Sequence, residues 1–68
     1  MIKKLSDEEL AQMTFQVGDV VIKIGGDYTF EGIVVSAFWK VSGAHRYVVE
    51  NKNGILHIFS EKNLMKLA

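Results

Sequence analysis

The chain has 68 residues, with eight Lys plus Arg against eight Asp plus Glu and a formal charge of zero. It contains no cysteine and two histidines, which excludes disulfides, thiolate metal sites and a histidine metal cluster. A neutral chain is poorly suited to nucleic acid, where affinity comes from neutralising phosphates, and a chain this short holds one domain with a thin core.

Lys3 and Lys4 run straight into acidic residues, so no signal peptide is expected. No apolar stretch approaches the roughly 20 residues of a membrane span. A soluble, cytoplasmic protein is the expectation. Ser6 followed by Glu9 forms a capping box, and Asp7 and Glu8 complement a helix dipole. The pattern predicts a helix of about two turns, ending near Met13 and docking through Leu10 and Met13. Residues 1–14 are read as a helical arm and residues 15–68 as the main domain.

After the arm the period changes to that of strands. Gly18-Asp19 predicts a turn, Val20–Ile24 a first strand, and "GGDYT" a loop. "FEGIVVSAFW" reads as a second strand with a bulge or bend at Gly32. "RYVVEN" is a third strand. "NKNG" is a hairpin turn with Gly54 at a positive φ, and "ILHIFS" is a fourth strand. "SEKN" suits one 3₁₀ turn capped by Ser60, and "LMKL" a last short strand. Five strands without a crossover helix predict an all-β fold, a small five-stranded SH3-like barrel with a short N-terminal helix.

Strand alternation gives each side chain a face. In the fourth strand Leu56 and Ile58 are read as core, which sends Ile55, His57 and Phe59 outward. In the first strand Val20, Ile22 and Ile24 share one face, and Val21 and Lys23 the outward one. His57 is then either an ordinary half-exposed strand residue or part of a surface shared between copies. Lys23 is either a solvated cation or one offered to a phosphate or carboxylate. An apolar outer face on a domain this small suits a subunit interface, so a homo-oligomer, tetramer or dimer, is expected. Tyr28, Phe30, Phe38 and Trp39 serve either as a stacking platform or as core filler. No nucleophile elbow, phosphate loop or paired carboxylate of recognisable spacing is present, and "GGDYTFEG" lacks the dinucleotide fingerprint.

The stretches "VGDVVIKIGG", "FEGIVVSAF", "YVVEN" and "NGILHIFSEKNLMKL" resemble the R-plasmid type II dihydrofolate reductases over about residues 15 to 67. Members of that family are SH3-like barrels that form homotetramers around one pore and confer trimethoprim resistance. The resemblance implies NADPH as cofactor and dihydrofolate as substrate, with hydride transfer driven by proximity rather than by a general acid. Lys23 matches a lysine that closes the family's first strand. The family's pore motif, Val-Gln-Ile-Tyr, aligns with Leu56-His57-Ile58-Phe59. Ile58 is kept, His57 replaces the glutamine and Phe59 the tyrosine. The cofactor-binding set that the resemblance implies is therefore Lys23, His57, Ile58 and Phe59. The chain departs from the family by two residues fewer before the fourth strand and one more in the "GGDYT" loop. "VGDVVIKIGGDYTFEGIVV" also looks like a KOW or Tudor-like barrel. A phage or plasmid accessory protein that uses such a barrel only for binding is the alternative.

Overall fold

The computed structural model describes residues 5–67. Ser6 and Glu9 close the capping box reciprocally: the Ser6 amide donates to Glu9 Oε1 at 3.0 Å, and the Glu9 amide to Ser6 Oγ at 3.2 Å. The helix they open, α1 (Asp7–Ala11), ends two residues before Met13. Met13 is buried in the core at 4% exposure, while the side chain of Leu10 lies outside the described residues.

Five antiparallel strands follow: β1 (Val20–Lys23), β2 (Glu31–Trp39), β3 (His45–Glu50), β4 (Leu56–Ser60) and β5 (Leu64–Lys66). They form one sheet in the order β4-β3-β2-β1-β5. This is the expected small all-β architecture with a short N-terminal helix. The two ends of the sheet approach each other across the core. Phe59 of β4 and Leu64 of β5 belong to the same buried cluster as Val21, Val34, Tyr47 and Val49. A 3₁₀ turn (Glu61–Asn63) makes the short connection between those two strands. Ser60 precedes it at the N-cap, but contrary to expectation its hydroxyl makes no capping bond.

The bend in β2 is not at Gly32. The register jumps between Val34 and Ser36, so Val35 and Ser36 both face outward and the alternation resets before Ala37. Gly32 has a different task. A Cβ there would sit 2.2 Å from the Glu50 carbonyl oxygen, so only glycine lets β2 and β3 come this close.

The register overturns the expected faces of two strands. Val21 is fully buried, and it is Val20 and Ile24 that are exposed. In β4, Phe59 is 5% exposed, whereas Leu56 and Ile58 are 56% and 61% exposed. Lys23, His57 and Phe59 therefore lie on the inner face, and Leu56 and Ile58 on the outer one. The cause is β3. Arg46 and Glu50 hold one face of that strand to solvent, which turns Tyr47 and Val49 inward. Tyr47 then pairs with Phe59 and Val49 with His57. β4 has apolar residues on both faces and takes whichever orientation its neighbour imposes.

Candidate functional site

The inward turn of β4 gathers four of the residues of interest into one aromatic cluster. The His57 ring stacks on Phe30, with centroids 4.4 Å apart and planes 9° from parallel. Phe59 packs 5.3 Å from Phe30 and 5.8 Å from His57. Tyr28, half exposed, presents an edge-on contact to His57 at 6.2 Å. The Lys23 ammonium lies 4.1 Å from the Tyr28 ring centroid, a cation–π distance.

The loop between β1 and β2 creates this arrangement. Gly25 and Gly26 both take positive φ, near 80° and 77°, which curls the chain back over the end of β1. The curl brings the carbonyls of Gly25 and Tyr28 to the Lys23 ammonium, which donates to both, to the latter at 3.3 Å. Lys23 is thus held within its own loop and is not a freely extended cation. Of the expected set, Lys23, His57 and Phe59 lie in or beside the cluster. Ile58 lies on the opposite face of β4. The expected platform of four aromatics is divided. Tyr28 and Phe30 are in this cluster, Trp39 stacks on His45 at 5.3 Å, and Phe38 pairs with Arg46 in the ladder.

A second polar centre was not legible in the sequence. Glu61, in the 3₁₀ turn, accepts hydrogen bonds from the Thr14 hydroxyl and from the Tyr47 hydroxyl at 3.2 Å. His45 Nδ1 lies 3.8 Å from the same carboxylate. The Tyr47 hydroxyl also accepts from the Phe15 amide at 3.4 Å. Glu61 therefore ties the segment after α1 to the sheet. The Thr14 hydrogen bond first, then Tyr47 and His45, hold its carboxyl below the usual range despite some burial. Burial first, with the Glu61 charge adding, pushes the Tyr47 phenol above its ordinary value. These residues come from three separate stretches of chain, and no local spacing links the three. Beside them is an open polar cavity of about 290 Å³, bordered by Arg46, Ser60 and Lys62.

The outer face of the sheet is the third feature. Val20, Ile33, Val35, Leu56, Ile58 and Met65 are all substantially exposed on it. A shallow groove of about 480 Å³ crosses it, floored by Val20, Ile33 and Val35 and walled by Glu31 and Glu50. The apolar exterior expected of a subunit is therefore present, and Ile55 is exposed as expected, but the sheet face is made of other residues than His57 and Phe59. The signal for it lies in β3, whose Arg46 and Glu50 fix the outward face of both neighbouring strands through the register.

Among the described residues no group of three His, Cys, Asp or Glu side chains is placed to hold a metal ion, and no helix is long and apolar enough to cross a membrane. No family model matches the chain, and neither a curated protein nor a solved structure matches it significantly.

Proposed function

We propose that this protein is a self-associating SH3-like binding module, a homo-oligomer whose subunits cover the apolar outer face of the sheet. The observation that carries this reading is that face: six large apolar side chains from four strands, exposed on a 68-residue chain. Monomers of this size rarely leave so many large apolar side chains of one sheet face in water. A barrel wall of this kind offers loops and edges to a partner and has no need of catalytic groups. The test is the mass of the full chain in solution by sedimentation equilibrium. A dimer or tetramer at micromolar concentration is the expected result, and a monomer at every concentration refutes the reading.

A second reading, the NADPH-dependent reduction of dihydrofolate in a shared pore, is favoured by one observation. Lys23 and His57, distant in sequence, converge on Tyr28. A cation next to exposed aromatic edges suits a ligand that carries both phosphate and a flat ring. Under this reading wild type binds NADPH, His57→Gln keeps or strengthens binding, and Lys23→Met weakens it. Calorimetry that shows no binding of millimolar NADPH to wild type or to His57→Gln eliminates the reductase and leaves the binding module in place.

A further inference from the structure

β4 is an edge strand, and its hydrogen-bonding direction follows from the hairpin. The Asn51 amide donates to the Ile55 carbonyl at 3.0 Å, so Asn51 and Ile55 form a hydrogen-bonded pair. Antiparallel ladders alternate such pairs with pairs whose groups point away. Val49/His57 and Tyr47/Phe59 are therefore the bonded pairs between β3 and β4. At the other side of β3, the Lys40 amide donates to the Ala44 carbonyl at 2.8 Å, which makes Arg46 and Val48 face β2. The two ladders agree. Among the described residues no strand pairs with β4 on its other side, so the amides of Leu56, Ile58 and Ser60 and the carbonyls of Leu56 and Ile58 point off that edge, while the Ser60 carbonyl opens the 3₁₀ turn.

Nothing in β4 protects that edge. It has no proline, no lysine and no bulge, the usual devices against strand addition. The opposite edge differs, since β5 is three residues long and ends in Lys66. Leu56 and Ile58 stand exposed beside the free groups, and Ile58 is the most exposed residue of the strand's apolar pair.

We infer that two copies of this chain pair antiparallel through β4, about a two-fold axis at Ile58. That register sets Ile58 opposite Ile58 and Leu56 opposite Ser60. The residues with free groups then face one another, so Ile58 exchanges both bonds with its symmetry mate and each Ser60 amide meets a Leu56 carbonyl. A shift by one residue would lose this match, because bonded and free residues would alternate out of phase. The register is also complementary in charge. Glu50 pairs with Leu56, and its carboxylate lies beside Gly54, 3.9 Å from where a Cβ would be. Placing Ser60 of the second copy next to Leu56 carries the exposed Lys62 of that copy towards this carboxylate, and symmetry repeats the contact. Self-complementarity in hydrogen bonds, apolar side chains and charge selects a second copy over an unrelated extended peptide.

The inference rests on the self-association reading and adds to the face contact a second contact, at the sheet edge. Two measurements on the full chain test it. In Ile58→Pro the ring removes an amide that β3 does not use, so the monomer fold survives and the edge is blocked. Its mass by sedimentation equilibrium should be half that of wild type or less, with a native circular dichroism spectrum. In wild type the Ile58 and Ser60 amides should exchange about tenfold or more slower in the assembled state than on dilution. Wild-type mass in a folded Ile58→Pro, or exchange at those amides that ignores concentration while the mass shows association, overturns the edge pairing and leaves self-association through the sheet face. Exchange alone decides the matter if Ile58→Pro does not fold. A wild type that stays monomeric overturns both.

Discussion

At the scale of single residues, the position of least tolerance is Gly32. Its backbone lies against Glu50 of the neighbouring strand, where a methyl group would overlap a carbonyl oxygen and crowd the Val49 side chain at 3.0 Å. Neither atom belongs to a flexible surface side chain, so the strands themselves must move. Gly32→Ala should cost about 3 kcal/mol, at the upper end for overpacking, read as a fall in the urea midpoint at unchanged slope. Gly25, by contrast, has open space around it and needs glycine only for its φ. His57 shows how a residue's meaning depends on facing. Stacked on Phe30 it is part of the wall of the core, and its half-exposed edge is what remains for a ligand.

At the scale of elements, the segment between α1 and β1 is bound to the sheet at both a hydrophobic and a polar point. Met13 and Phe15 enter the core, and Thr14 between them reaches Glu61. The sign of the pH dependence follows from the lowered Glu61 pKa. Its contribution is fully present above the unfolded value near 4.5 and is lost as pH falls through the lower folded value. Acid should therefore loosen the residue 12–16 segment before the sheet melts. In Glu61→Gln that step should be absent from the acid limb between about pH 5 and pH 3, with Trp39 fluorescence as the probe. Trp39 suits this purpose because its indole nitrogen donates to the Met13 sulfur at 3.0 Å. The elements themselves were readable from the sequence for local reasons. Ser6 and Glu9 announce a helix start, and Gly18 and Gly54 do take the positive φ that their turns demand. The facing of β1 and β4 was not readable from either strand alone. Both carry apolar residues at odd and even positions, so alternation is satisfied either way round. The deciding information lies in β3, where Arg46 and Glu50 cannot both be buried, and is transmitted across the ladder. The Glu61 centre was hidden for a different reason, as it exists only after the 3₁₀ turn has been brought against Tyr47.

At the scale of the whole molecule, the balance of forces is that of a chain with no net charge and an apolar wall. Association driven by that wall should not weaken with salt, since screening acts on charges and not on buried area. Raising sodium chloride to about 1 M should leave the assembly intact or tighten it, and about 0.5 M sulfate should tighten it further, as seen by light scattering. Dissociation by salt would mean that ion pairs, rather than the sheet face, hold the subunits together.

The place of β5 has a consequence for how the chain is made. Val21, Ile22 and Lys23 pair with Lys66, Met65 and Leu64, so the first strand is completed only by the fifth. Contacts of such long sequence separation raise the entropic cost of loop closure and slow the search, towards the millisecond-to-second range typical of such β topologies. During synthesis β1 waits with one side unpaired while everything downstream is still being added. Pairing of β1 on that side waits until residues 64–66 have been made, and a chain cut before β5 would lack this ladder.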